Sequence, residues 1–274
     1  MGKIELNLEL AREIELAEAE AAVGCVRTMK SLVPETEGAA EKIGGGYTVY
    51  CGPNNPVTQA AGLGLGGPVS AQEFDKLEQF YFSRGEPVRV ETCPLVDASL
   101  LAHYKERRYH VTEFSNVMAK RVVEEAASLP QPSEEVQIRR IGNGEIELWV
   151  MTVAQGFAEH YPVTDEILRI MKLFALGEKT ECYLATIDGR VAGGATLAVR
   201  GRIAGLFGAS TLPEFRKRGV QTALLQKRLE RAAELGCELA MSLAQPGSVS
   251  QRNIARHGFE TLYTRVKFER DVPG

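Results

Sequence analysis

An apolar strand and an amphipathic helix are joined by a basic turn at residues 216–222, with the sequence RKRGVQT. The first turn of a helix presents main-chain N–H groups that have no acceptor within the helix. These groups lie at the positive end of the helix dipole, so they attract an anion, above all a phosphate. Gly219 suits the turn because a Cβ there would intrude on the phosphate or strain the main chain. The sequence therefore predicts a strand–turn–helix unit that binds a phosphate-bearing ligand.

The Arg-x-x-Gly-x-Gln pattern of this turn resembles the Gln/Arg-x-x-Gly-x-Gly/Ala pyrophosphate loop of the GNAT superfamily of N-acetyltransferases, which bind acetyl-coenzyme A (acetyl-CoA). Gln221 replaces the usual small residue, and its amide can still donate to phosphate. The resemblance implies that the pantetheine arm hydrogen-bonds the exposed edge of the preceding strand. The residues that it assigns to acetyl-CoA are Ala209, Ser210, Thr211, Arg216, Lys217, Arg218, Gly219, Val220, Gln221, Thr222 and Asn253.

A second match lies downstream, in the segment 246–259. Family members place an asparagine on this helix, where it binds the pantetheine arm, and they end the helix with Gly-Phe. Asn253 occupies that position, with a helix-start cap as its alternative role. Many members also carry a tyrosine that protonates the departing thiolate, but Ile254 stands there and cannot donate a proton. Tyr263, Ser250, water and unaided departure of the thiolate are the alternatives.

The C-terminal half alternates between strand and helix patterns. Three closely spaced strands are predicted near residues 182–186, 191–199 and 202–211, and Asp188-Gly189 predicts a hairpin between the first two. The full order is strand, two helices, three strands, helix, strand, helix, strand, which resembles the GNAT arrangement over about residues 135–270. The predicted fold class is therefore α/β (α+β), a GNAT acyl-CoA N-acyltransferase fold with a mixed central sheet and flanking helices.

The N-terminal half begins with an amphipathic helix predicted over Leu8–Leu32. Strands near residues 47–51 and 57–62, a helix after Ser70 and a strand near 87–93 then resemble a degraded GNAT-like domain of the kind found in tandem GNAT proteins. This half lacks the Arg-x-x-Gly turn, so the resemblance implies a structural role. The predicted division is 1–128 for this domain, 129–134 for a proline-containing linker and 135–274 for the acetyltransferase domain.

The glycine run at residues 62–67 supports a competing interpretation. It satisfies Gly-x-Gly-x-x-Gly between a possible strand and a helix, and Glu91 follows at a suitable distance for a ribose contact. Pro68 delays the start of the helix, however, and the preceding strand is short and weakly apolar. The alternative role of the run is a turn in the place of a lost pyrophosphate loop.

Composition excludes several classes of function. The net charge of −4 disfavours broad nucleic-acid binding, and the sequence contains no apolar run as long as a membrane span. The five cysteines are scattered, so neither a metal site nor a disulfide framework is predicted. Composition therefore favours a cytoplasmic protein without nucleic-acid or membrane partners. The GNAT resemblance implies an enzyme whose partners are acetyl-CoA and an amine, with a homodimer as a further possibility.

Three functions are compatible with these patterns. The first is transfer of an acetyl group to a primary amine of a small molecule or peptide by direct attack, with a backbone N–H near Ala209 polarising the thioester carbonyl. Glu159, His160 and Glu181 lie on segments that face the substrate cleft in relatives, although solvated surface residues are the commoner outcome. The second is a non-catalytic acyl-CoA-binding module, and the third is a dinucleotide-binding protein that uses the 62–67 run.

Overall fold

The computed structural model of the protein describes residues 3–53, 55–122, 135–159 and 162–274. The predicted linker at 129–134 and His160 lie outside the described residues. The elements of the N-terminal half are α1 (Leu8–Leu32), β1 (Ala39–Ile43), β2 (Gly46–Tyr50), β3 (Ala60–Ala61), α2 (Ala71–Phe82), β4 (Val88–Thr92), α3 (Ala98–Glu106) and β5 (His110–Arg121). Those of the C-terminal half are β6 (Val136–Arg140), α4 (Ile146–Phe157), α5 (Asp165–Ala175), β7 (Thr180–Ile187), β8 (Arg190–Arg200), β9 (Ile203–Thr211), α6 (Val220–Glu234), β10 (Leu239–Ala244), α7 (Val249–Arg256) and β11 (Glu260–Arg270).

The chain forms two compact units that interleave along the sequence. The first contains the described residues up to Met118, together with Leu243–Ala255 and Phe259–Gly274. The second contains those from Ala119 to Ser242, together with Arg256–Gly258. The last strand thus packs with the N-terminal half, whereas the sequence pattern groups it with the C-terminal one. The domain boundaries given above stay a prediction, because the proposed linker is not among the described residues.

The first unit is built on a sheet in the order β1-β2-β3-β4-β11-β5. The C-terminal strand β11 pairs antiparallel with β4, from Val266↔Thr92 to Arg270↔Val88. α1 begins after Asn7, whose side chain accepts from the Leu10 N–H at 2.8 Å, and it keeps the predicted bounds. The predicted strand at 57–62 is reduced to Ala60–Ala61, and β1 was not predicted.

A buried ionic cluster fixes β11 within this unit. Arg265 is 1% exposed and binds Glu15 at 2.8 Å and Glu18 at 2.6 Å. Burial alone would lower the pKa of Arg265, but the two carboxylate charges raise it well above its ordinary value. Tyr263 donates to Glu15 at 2.8 Å. Such a cluster is costly to break, because removing one partner leaves an uncompensated buried charge.

The second unit contains strands in the order β10-β9-β8-β7-β6. β6 to β9 pair antiparallel, and β9 pairs parallel with β10. The predicted hairpin between β7 and β8 is confirmed, since Asp188 and Gly189 both have positive φ, as a tight two-residue turn requires.

Helices α4 and α6 cover opposite faces of this sheet. A Cβ on Gly193 would contact Val220 of α6, whereas a Cβ on Gly194 would contact Trp149 and Val153 of α4. Successive residues of a strand point to opposite faces, so the two helices lie on either side of β8. Trp149, which is fully buried, anchors the core on the α4 face. None of the helices in the described part of the chain is long and apolar enough to cross a membrane.

Candidate functional site

Strands β9 and β10 diverge in the second unit. Their parallel ladder consists of three pairs and ends at Met241↔Gly205. One residue further, the Ser242 hydroxyl donates to the Leu206 carbonyl at 3.0 Å. Among the described residues, β10 provides no ladder partner for the remainder of β9, up to Thr211. The end of β9 therefore offers a strand edge to which an extended ligand can hydrogen-bond.

A β-bulge interrupts β9 in this same segment. Gly194 pairs with Ser210, but Thr196 pairs with Phe207, so Gly208 and Ala209 together oppose a single residue of β8. Gly208 has φ +57°, a conformation that favours glycine. The Thr196 hydroxyl donates to the Phe207 carbonyl at 2.7 Å and fixes the start of the bulge. Bulges re-aim the main chain, and this one does so at Ala209, one of the predicted site residues.

Two glycines allow close packing around Ser210. A Cβ on Gly156 of α4 would lie 2.6 Å from the Ser210 Cβ and closer still to its hydroxyl, and a Cβ on Gly193 would lie 2.5 Å from the Ser210 carbonyl. The Ser210 hydroxyl donates to the Val153 carbonyl at 3.1 Å. The Ser210 side chain is thus buried and used within the fold, which leaves main-chain atoms as the only groups it can offer to a ligand.

The turn before α6 has the geometry that the sequence predicts for an anion site. Gly219 occupies the N-cap position with φ +83°, and within the described residues no side chain caps α6. The Ala223 N–H makes the first helical bond, to the Gly219 carbonyl at 3.0 Å. The N–H groups of the preceding helical residues, Val220, Gln221 and Thr222, therefore point out of the N-terminus without a capping side chain.

The Gln221 side chain has a partner within the fold. Its Nε2 donates to the Thr211 hydroxyl at 2.9 Å, and its predicted contact with a phosphate stays a prediction. The residue that departs from the family pattern therefore ties α6 to the end of β9. The side chain thus holds the strand and the helix together, which leaves the second amide hydrogen and the main-chain N–H of Gln221 for the predicted anion site.

Two of the three cations of the turn are paired with carboxylates. Arg216 binds Glu159 at 2.6 Å, and Arg218 binds Glu135 at 3.0 Å. The Arg218 guanidinium also lies 5.9 Å from the ring of buried Phe215, a contact that orients it. Lys217 is exposed, has φ +62°, and forms no ion pair within the described part of the chain. No local pattern predicts these carboxylate partners, because they are distant from the turn in the chain.

A histidine missed by the sequence analysis contacts the first turn of α6. The His257 Nε2 lies 3.2 Å from the Thr222 hydroxyl, and the Lys120 ammonium donates to the His257 carbonyl at 2.8 Å. Burial lowers the pKa of Lys120 below its ordinary value. Asn253 is half-buried on α7, in the first compact unit, and its predicted contact with the pantetheine arm stays a prediction.

Two residues considered for proton transfer are engaged elsewhere. Tyr263 is buried in the first unit against Glu15, and burial with that carboxylate raises the pKa of Tyr263 above its ordinary value. Glu181 accepts from Arg231 at 3.0 Å and from the Tyr183 hydroxyl at 2.6 Å. Burial raises the pKa of Glu181, but these bonds outweigh it and the net pKa is below the ordinary value. The side chains of Tyr263 and Glu181 are therefore both used in contacts within the fold.

The glycine run in the first unit is used as a structural turn. The Gly64 N–H donates to the Gly44 carbonyl at 2.9 Å, and the Gly64 carbonyl accepts from the Asp97 N–H at 2.8 Å. The helix that follows begins with a capping box, in which Ser70 and Glu73 accept from each other's main-chain N–H groups. Glu91 binds Lys267 at 3.1 Å. These contacts favour a structural turn at residues 62–67 over a dinucleotide-binding loop.

Comparison with known proteins agrees with this geometry. The model of the acetyltransferase (GNAT) family matches residues 146–259, the segment that contains β9, the turn and α6. The chain contains a GNAT domain. No curated protein matches the sequence.

Solved structures extend the likeness of fold beyond the GNAT domain. A GCN5-related N-acetyltransferase from Kribbella flavida has a TM-score of 0.67 at 16% identity, over 94% of this chain and 96% of its own. A conserved protein of unknown function from Bacteroides thetaiotaomicron has a TM-score of 0.60 at 11% identity, over 97% and 98%. A tandem GNAT protein from the clavulanic acid biosynthesis pathway has a TM-score of 0.57 at 14% identity, over 83% and 74%. The mixed α/β architecture is that of GNAT proteins.

Proposed function

We propose that the GNAT domain transfers an acetyl group from acetyl-CoA to a primary amine. The observation that carries the proposal is one continuous unit, in which β9 leaves β10 after Leu206, bulges at Gly208 and leads through Gly219 into the uncapped helix α6. Membership of the domain in an acetyltransferase family supports the same ligand. A strand edge followed by an anion-binding helix N-terminus suits a long ligand with a hydrogen-bonding arm and a diphosphate at one end.

The main chain provides the contacts in this proposal. The N–H groups at the start of α6 bind the diphosphate, and the free edge at Ala209 to Thr211 binds the pantetheine arm. The main-chain N–H near Ala209, turned by the bulge, polarises the thioester carbonyl. The domain thereby holds the thioester and the amine at attack distance, which is a large part of what such a reaction needs.

The chemistry then requires one bond to form and one to break. The neutral amine nitrogen attacks the carbonyl carbon, the new C–N bond forms, and the C–S bond breaks to release the CoA thiolate. The proton lost by the amine leaves through water or a carboxylate, and the thiolate takes a proton from solvent. We assign no side chain as the acid, because Ile254 cannot donate and Tyr263 is bound to Glu15.

The proposal is tested by measuring free thiol after incubation with acetyl-CoA and a panel of primary amines. We expect release of CoA with at least one amine, and loss of that release in Gly219→Asp, which places a negative charge beside the N–H groups of α6. Gly236→Asp is the matched control, since Gly236 also has positive φ and has open space around it. Equal thiol release by wild type and Gly219→Asp would contradict the proposal.

A second candidate follows from Ile254. The same strand edge and helix N-terminus would also suit a non-catalytic acyl-CoA-binding module, because Ile254 stands where many members of the family carry the tyrosine that acts as acid. Calorimetry that shows CoA binding, combined with no thiol release across amine and peptide panels, would favour this candidate over the enzyme. For the N-terminal half we propose a structural role, since its comparable helix α2 is closed by its own capping box.

A further inference from the structure

We propose that Arg228 is a positioning residue for the acetyl group. Its side chain reaches from helix α6 to strand β8 and, through Thr196, fixes the β9 bulge beside which the thioester is proposed to lie. The inference rests on the proposed use of acetyl-CoA. It adds to the reaction a buried side chain that lies outside both the basic turn and the strand edge.

Arg228 is a buried cation whose described partners are main-chain carbonyls and not carboxylates. The residue is 3% exposed. Its Nε donates to the Leu224 carbonyl, one turn earlier in α6, and its Nη1 donates to the Thr196 carbonyl of β8, both at 3.0 Å. Burial lowers the pKa of Arg228 to about 10, so the guanidinium keeps its charge and its donors at neutral pH. Burying a charge without a counter-charge is costly, and an apolar side chain of similar length would avoid that cost.

Thr196 joins this guanidinium to the bulge. Its carbonyl accepts from Arg228, and its hydroxyl donates to the carbonyl of Phe207, its pairing partner on β9, at 2.7 Å. Gly208 and Ala209 follow Phe207 as the two residues of the bulge. One buried residue of β8 is thus held from α6 and in turn holds the residue at which the bulge begins.

The placement of α6 against the bulge matters because acetyl-CoA has to reach both. In the proposed function the diphosphate binds the start of α6, and the thioester carbonyl meets the main-chain N–H near Ala209. Arg228 lies two turns after Val220, about 12 Å along the helix axis, and fixes the helix to β8 there. A misplacement of about 1 Å at a reacting group can cost on the order of a hundredfold in rate. Loss of the Arg228 bond should therefore lower the rate of transfer and leave coenzyme binding intact.

The first test compares Arg228→Met with Arg228→Lys, by thermal unfolding, CoA calorimetry and thiol-release kinetics with the best amine of the panel. Arg228→Met removes the donor and the buried charge, so we expect a kcat about tenfold lower, with CoA affinity within about twofold of wild type. Arg228→Lys keeps a charged donor, so its kcat should stay within about threefold of wild type. Its Tm should be no higher than that of Arg228→Met, because an ammonium group is hydrated more strongly than a guanidinium and costs more to bury.

The matched control is Arg231→Met, because Arg231 lies on the same helix but binds Glu181 at 3.0 Å. We expect this variant to lose Tm and to keep its kcat. Stability and rate should thus change in opposite order across the set. A kcat for Arg228→Met within twofold of wild type, or kcat values that follow the Tm values, would overturn the inference.

The second test is a double-mutant cycle on kcat with Thr196→Val, which removes the hydroxyl bond to Phe207. Because both side chains act through the same bulge, the double variant with Arg228→Met should lose little more than the worse single variant. Losses that multiply would show independent effects and would also overturn the inference. The two levels of proposal fail differently. Wild type without thiol release contradicts the proposed function, whereas an active wild type whose kcat is indifferent to Arg228 removes only the positioning role.

Discussion

A single methyl group added at Gly156 should force α4 away from the end of β9. In Gly156→Ala the new Cβ would lie 2.6 Å from the Ser210 Cβ, closer to its hydroxyl, and 3.2 Å from the Thr211 nitrogen. Ser210 is 3% exposed and is held by its bond to the Val153 carbonyl, so it cannot rotate out of the way without losing that bond. The helix or the strand must therefore move.

The expected cost follows from two opposing effects. Overpacking a buried site costs about 1–3 kcal/mol, and two atoms inside contact distance place this site in the upper part of that range. Alanine gains about 1 kcal/mol over glycine inside a helix. The net loss is about 1–2 kcal/mol, which corresponds to a decrease of about 2–8 °C in Tm for a unit of this size. CoA affinity should fall as well, because the displaced segment includes the edge of β9.

The assay is thermal unfolding followed by circular dichroism, with CoA calorimetry on the same samples. Gly142→Ala serves as the control, because a Cβ there would meet no atom within 4 Å. Ser210→Gly removes the two atoms closest to the new Cβ, but by itself it also loses the hydroxyl bond to Val153 and so lowers Tm. In the double variant, adding Gly156→Ala to Ser210→Gly should therefore lower Tm by at most half of what Gly156→Ala costs in wild type. Strictly additive effects of the two changes, or a Gly156→Ala protein as stable as the control, would refute the packing argument.

Three further outcomes are expected. Gly219→Asp should weaken CoA binding at least tenfold, whereas Gly236→Asp should leave calorimetric affinity unchanged, because only the first adds charge at the start of α6. Both changes replace a glycine with positive φ, so we expect both to lower Tm by backbone strain. Tyr263→Phe should lower Tm by a few degrees, through loss of its bond to Glu15, and leave kcat within about twofold of wild type; a kcat lowered a hundredfold would show that Tyr263 is the acid. Because the folded-state pKa of Glu181 is lowered, its stabilising effect is present above its unfolded pKa and is lost as the pH falls through the folded value. Glu181→Gln should therefore have a lower Tm than wild type at pH 7, and the two Tm values should converge as the pH is lowered below about 4; a difference that persists there would contradict the sign of the shift.

Elements whose signals are local were predicted from the sequence. α1 has the predicted bounds because one apolar stripe and a capping Asn7 specify it. The capping box of Ser70 and Glu73 likewise places the start of α2. By contrast, β1 contains no β-branched or aromatic residue before Ile43 and is a strand because it pairs with β2. The propensities of the residues in β1 do not indicate this pairing with β2.

The position of β11 depends on contacts that no local pattern shows. The alternation of its side chains predicts a strand, but the partner is chosen by β4 and by the burial of Arg265 against Glu15 and Glu18. These carboxylates are about 250 residues away in the chain. Local sequence patterns group β11 with the C-terminal half because it follows that half in the chain, whereas its contacts place it in the compact unit of the N-terminal half.

In the candidate site, too, local features were predicted from the sequence and features that depend on distant contacts were not. The turn and its glycine were predicted, since Arg-x-x-Gly between a strand and a helix is a local pattern. The bulge at Gly208 was not, because it arises from a register mismatch with β8. The only signal available was a glycine inside an apolar strand, which often marks a bulge. The pairing of Arg216 with Glu159 was also missed, since it joins residues on separate elements.

The two halves of the chain each join a glycine-containing turn to a helix, and the state of the helix N-terminus separates their roles. In α2, Ser70 and Glu73 supply both acceptors of a capping box, so the N–H groups of these two residues are satisfied and a carboxylate already lies at the helix N-terminus. In α6 the N-cap is Gly219, which has no side chain to supply an acceptor. An uncapped N-terminus costs stability unless another group accepts from it, and a bound anion does so. The half that contains the uncapped helix α6 also contains β9, whose last residues have no ladder partner on β10 among the described residues. A ligand with a diphosphate and an extended arm would supply acceptors for the N–H groups of α6 and hydrogen-bond partners for the edge of β9.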